Sequence, residues 1–207
     1  MGAHLHAAPA VSFWPLALMW FGMMAVMMAP TAYPWVRAYH RFSATERDAR
    51  FADSARFASG YLFAWFAYAA AAALLQRGLQ SAALMQPSSD IVSSRLGAMI
   101  LLIAGLYQFA PLKRACLTHC RTPFGYFLRR WRNGPMGAFK MGLHHGFFCV
   151  GCCWVLMATA FAVGVMNVWW MAALAALGFV EQMAPYGELA RHTSGMALVA
   201  AAVRELV

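Results

Sequence analysis

Apolar windows long enough to cross a bilayer recur along this chain, and nothing else in it limits the fold as strongly. A hydrocarbon core of roughly 30 Å needs about 20 apolar residues per helix. The first window, "FWPLALMWFGMMAVMMAPTAYPWV", runs over 13–36 and is followed by windows at about 59–76, 95–113, 144–166 and 168–185. With 62% hydrophobic and only 11% charged residues, the 207-residue chain lies far outside the balance of a soluble domain. The expected fold is therefore all-α: one integral membrane domain over 1–207, a polytopic bundle of about five transmembrane helices plus a short C-terminal helix after Gly195.

No Lys or Arg precedes the first window, so it reads as a retained helix and not a cleaved signal, with Pro30 and Pro34 marking its far end. The alanine run after Tyr68 suits close helix packing, because small side chains let backbones approach.

The net charge of +9 has a topological explanation. Five arginines (37, 41, 47, 50, 56) fall between the first two windows, and seven basic residues (113, 114, 121, 129, 130, 132, 140) between the third and fourth. Basic loops stay in the cytoplasm, so both face inward and the N-terminus outward. The stretch "LRRWRNG" then needs no nucleic-acid partner, and the bilayer is the partner expected of the charge.

All five cysteines fall in two groups, "CLTHC" (Cys116, Cys120) and "CVGCC" (Cys149, Cys152, Cys153), both near the cytoplasmic face in this topology. On a helix, His145, Cys149, Cys152 and Cys153 share an arc of about 80 to 100°. Cys116 and Cys120 share a face if the chain stays helical past Pro111, and a helical hairpin would bring the two faces together. Clustered thiols in a reducing compartment suit soft metal ions, and an odd number leaves one unpaired in any disulfide scheme. The competing readings are a Cys-x-x-Cys redox pair at Cys149 and Cys152, and small apolar filler.

The first window narrows the metal. Met19, Met23 and Met27 form one helical stripe and Met24 and Met28 the next, and thioether sulfur suits copper(I) better than zinc. Glu181 is the one acid inside a span; it could accept a proton, balance a cation, or close a polar network with Gln182 and Tyr186. At the start, Gly-Ala-His would put the imidazole of His4 beside a free amine, a weaker candidate for copper(II) on the outer side.

The stretches "MWFGMMAVMMAPTAYP", "GYLFAW", "YQFAPLKRACLTHCRTP", "GLHHGFFCVGCCWVLM" and "GVMNVWWM" cover most of the chain. In them the sequence resembles a bacterial family of metal-binding integral membrane proteins of unknown function, sometimes labelled copper chaperones. The resemblance implies roles for Met24, Met28, Pro30, Gln108, Lys113, Cys116, Cys120, Arg121, His145, Cys149, Cys152, Cys153 and Met157. It departs at Gln182, where the family pattern has Lys after Glu, so a Lys-dependent role at that position does not carry over.

The expected function is copper handling in the inner membrane. Cys116, Cys120, Cys149, Cys152 and Cys153 would supply thiolates, with His145 and Met24 or Met28 completing the site, for delivery to a membrane or periplasmic protein. A homo-oligomer is compatible with this. The rivals are a copper-dependent membrane oxidase, with Glu181 or His145 moving protons, and a membrane thiol–disulfide oxidoreductase.

Overall fold

The computed structural model describes residues 12–43, 47–85, 94–165 and 167–206. His4 lies outside them. The described chain is helices joined by short turns: α1 (Phe13–Phe42), α2 (Arg47–Ser81), α3 (Ser94–Phe109), α4 (Pro111–Cys120), α5 (Pro123–Arg130), α6 (Pro135–Ala158), α7 (Ala160–Val163), α8 (Val168–Met183) and α9 (Gly187–Leu206).

The all-α expectation holds, but the number of spans differs. Among the described residues, Phe13–Phe42, Arg50–Ser81 and Pro135–Val163 are long and apolar enough to cross a membrane. A fourth arises if α3 and α4 count as one span bent by 65°, and α8, at 16 residues, is shorter than a full crossing. The helix after Gly195 in fact begins at Gly187 and packs mainly along α3.

Proline acts in opposite ways at the two places where helix ends depart from expectation. Pro30 and Pro34 sit inside α1 and do not end it. They remove two helical donors, yet the helix continues because Trp35, Ala38 and Tyr39 bury themselves against α5 and α6 residues such as Phe127 and Met141. Pro111, by contrast, breaks the helix before it. A residue preceding proline is driven out of the α region, and Ala110 is extended at φ −65°, ψ 138°. The resulting bend turns α4 out of line with α3 and lays it against α6.

Glycine sets how closely α2 and α6 approach. A Cβ on Gly142 would run into the Phe57 carbonyl oxygen, and one on Gly146 would lie 2.7 Å from the Ala64 methyl. The alanine run behaves as its composition suggests, with Ala69, Ala72 and Ala73 buried in the main core. At the start of α6, Gly134 takes φ +82°, a conformation L side chains rarely adopt, and hands the chain to Pro135 at the first helical turn.

Candidate metal centre

Three buried stripes meet on the inside of the bundle. On α4 the stripe is Lys113, Cys116, Leu117 and Cys120, on α6 it includes His145, Cys149, Cys152 and Cys153, and on α8 it is Leu174, Gly178, Glu181 and Gln182. Each follows the three- and four-residue spacing of one helical face.

The stripes bring four of the five thiols together. Cys120 neighbours Cys149 and Cys152 and interacts with both, and Cys152 Sγ is 3.3 Å from Cys153 Sγ. All four are 0–1% exposed, and all five cysteines are free thiols. Cys116 stands apart: its sulfur packs against Gly151, at 3.0 Å from where a Cβ there would sit. Among the described residues, no three His, Cys, Asp or Glu side chains form a ready-made cage for an ion. The thiols are gathered, with their hydrogen bonds directed to one another and to the protein.

Those protein partners were not evident from the sequence. Gln182 Nε2 donates to Cys153 Sγ at 3.2 Å, and its Oε1 faces the Cys149 thiol at 3.9 Å. Tyr61 OH is 3.3 Å from Cys149 Sγ and has Thr31 as a neighbour, whose hydroxyl lies 4.0 Å from Met28 Sδ. Met28 is thereby connected to the thiols. Met24 is fully buried in the same core but makes no polar contact with them among the described residues.

His145 is held by its faces. Its ring stacks on Trp35 at 3.6 Å and on Tyr61 at 5.5 Å, while Trp35 Nε1 donates to the Cys120 carbonyl at 2.9 Å. Trp35 thus ties α1 to both cysteine-bearing helices. The Nδ1 atom of His145 is buried without a partner.

Glu181 is paired, though not with the residues expected. Lys113 Nζ lies 2.7 Å from its Oε2, at 0% and 1% side-chain exposure, and Gln108 Nε2 donates to its Oε1 at 3.1 Å. Ser194 Oγ is 3.4 Å from the same oxygen. Tyr186 takes no part, being 72% exposed, and Gln182 points to the thiols instead. The Lys113 ammonium is also within electrostatic reach of Cys153. This lysine is therefore no loop charge: α4 carries it inward on the cysteine face.

Around this core, Arg121 donates to the Glu181 carbonyl oxygen from Nε at 2.9 Å and Nη2 at 2.6 Å. It also reaches Glu188 on α9 at 3.4 Å. Burial pushes the Glu188 carboxyl up, but hydrogen bonds from Arg191 and the charges of Arg191, Arg121 and Arg114 outweigh this and hold it below the usual carboxylate range. A mostly apolar cavity of about 330 Å³ between Pro34, Pro123 and Pro185 reaches Cys120 and Gln182 from outside.

The family model described as PpoB2, copper chaperone, matches residues 17–204. No curated protein and no solved structure matches the chain.

Proposed function

The chain belongs to the PpoB2 copper-chaperone family, and from that premise we propose that it carries copper(I) as cargo on Cys120, Cys149, Cys152 and Cys153 within a membrane-embedded helix bundle. The observation that supports this reading most is the meeting of Cys120 from α4 with the three thiols of α6. Thiolate is the ligand that selects soft copper(I), and exchange among neighbouring sulfurs lets an ion be held and still be released.

The surroundings suit a charged thiolate centre. Replacing thiols by copper thiolates leaves net negative charge in a low-dielectric interior, where it needs a compensating cation or donor. Lys113 and the Gln182 amide stand beside Cys153 for that purpose. Met28, behind Thr31 and Tyr61, is a reserve thioether ligand, and Cys116 beside Gly151 is a fifth thiol at the edge of the cluster.

Burial weighs against disulfide exchange with protein substrates. Cys149, Cys152 and Cys153 are 0–1% exposed, which a copper ion can overcome and an incoming polypeptide cysteine cannot. In this reading the bundle sits in the bacterial inner membrane with its N-terminus outside and both basic loops cytoplasmic, and it hands copper to a membrane or periplasmic protein.

X-ray absorption on the copper(I)-loaded protein tests the assignment. A first shell dominated by sulfur is expected; a shell of nitrogen and oxygen alone would refute thiolate ligation.

A further inference from the structure

Besides the thiols, three histidines stand in a row, His144, His119 and His145, of which the reading above assigns no role to His144 or His119. The His144 ring centre is 5.5 Å from that of His119, and the His119 ring is 6.0 Å from that of His145. His145 stacks on Tyr61, whose hydroxyl is 3.3 Å from Cys149 Sγ. Each of the three rings has a buried nitrogen without a hydrogen-bond partner: His144 Nδ1, His119 Nε2 and His145 Nδ1. One orphaned imidazole nitrogen is a local cost. Three in succession, ending at a thiol cluster, form a line of unused metal ligands.

The outer end of the line opens into a cavity of about 400 Å³ lined by Tyr126, Arg129, Arg130, Arg132, Lys140 and His144. No ion pair occupies its four cationic side chains among the described residues. The segment that lines the cavity contributes no acid of its own, since the sequence has no Asp or Glu between Ile91 and Val180, and Asp53, which acts on the neighbouring Tyr39, is paired with Arg56. A cavity of this charge repels a bare cation and concentrates anions.

We propose that copper(I) reaches the thiols through this cavity and along His144, His119 and His145 to Cys149, and that it arrives as an anionic complex whose ligands are left behind in the cavity. The inference rests on the copper reading above. Each step exchanges one copper–ligand bond for another, with copper remaining copper(I). At the cavity a bond to the donor breaks as one to His144 forms. At the far end a bond to His145 breaks as a thiolate bond forms, and the thiol proton leaves to solvent. The three rings form no cage, which suits brief occupancy over storage.

The second cavity, at Cys120 and Gln182, offers a shorter route to the same sulfurs, and the test separates the two. Reduced, detergent-purified protein is loaded under anaerobic conditions from two copper(I) chelates of opposite charge, the anionic bicinchoninate and the cationic neocuproine complex. Loss of chelate colour gives the rate, and final copper content gives the capacity. Arg129→Gln/Arg132→Gln, which leaves the Arg130 contact to His144 in place, is expected to slow loading from the anionic chelate by about tenfold and not from the cationic one. His144→Gln is expected to slow both by a similar factor, with full copper content reached in the end.

Wild-type rates in His144→Gln, or an unchanged charge preference in the double arginine variant, would overturn the route while leaving the thiol site standing. Slowing by Ala184→Trp alone would overturn it in favour of the second cavity. A wild-type protein that takes up no copper from either chelate would fail at the level of the proposed function, and the route would fall with it.

Discussion

The ammonium of Lys113 lies 2.7 Å from the carboxylate of Glu181 with neither side chain open to solvent, and the same ammonium acts on Cys153. A buried ion pair is an indifferent source of stability when intact, because desolvation offsets attraction, but removing one partner strands a charge. Glu181→Gln and Lys113→Met should each destabilise the protein by about 3–5 kcal/mol. The double variant Lys113→Met/Glu181→Met should recover most of that loss. Thermal unfolding in one detergent, read as a double-mutant cycle, checks it; additive losses would show that the pair is not coupled.

Copper affinity should depend on Gln182 more than the fold does. Its amide orients Cys153 and faces Cys149, the kind of support around a metal ligand whose loss costs about 10–100-fold in affinity. Gln182→Leu should weaken copper(I) binding within that range in competition against a chelator of known affinity. Unchanged binding would remove Gln182 from the site.

Proton competition fixes the sign of the pH dependence. A thiol must lose its proton to ligate, so acid opposes binding and the apparent affinity should fall about tenfold per pH unit for each proton displaced below the thiol range. Chelator competition at pH 7.5 and 5.5 is the check, and equal affinities at the two would speak against thiolate ligands.

The contact between α2 and α6 should tolerate no side chain at Gly142. A Cβ there meets the Phe57 carbonyl oxygen, which is backbone and cannot swing aside. Gly142→Ala should lower stability by about 1–3 kcal/mol, the usual cost of overpacking a close helix contact. Gly22→Ala, where a Cβ meets nothing within 4 Å, is the control and should leave unfolding unchanged or slightly raise its midpoint.

The helical class, the packing role of Ala69, Ala72 and Ala73 and the shared face of Cys149, Cys152 and Cys153 were legible in the sequence because each follows from composition or a 3.6-residue period. Lys113 illustrates what was not. Its charge sorted it with the loops, although positions 113, 116, 117 and 120 trace one buried stripe once α4 is taken as a helix. The family resemblance did point to Gln108, Lys113 and Arg121 but gave them no partner. All three converge on Glu181, Gln108 from the end of α3 and Lys113 and Arg121 from beyond the bend at Pro111, which the sequence did not foretell. Pro30 and Pro34 misled in the opposite direction, because helix-breaking chemistry inside a bundle is overridden by packing. The adjacent His144 and His145 were visible as a pair, yet His119, inside "CLTHC", acquires its neighbours only through the tertiary contact of α4 with α6.

The measurement that bears most directly on the central claim is copper content by elemental mass spectrometry. Wild type and Cys149→Ser/Cys152→Ser would be purified in detergent without oxygen and offered the same limiting copper(I). The expected result is about one copper ion or more per wild-type chain, with loss of most of it in the variant. No copper in the wild type, with all five thiols titrating as free, would contradict the account.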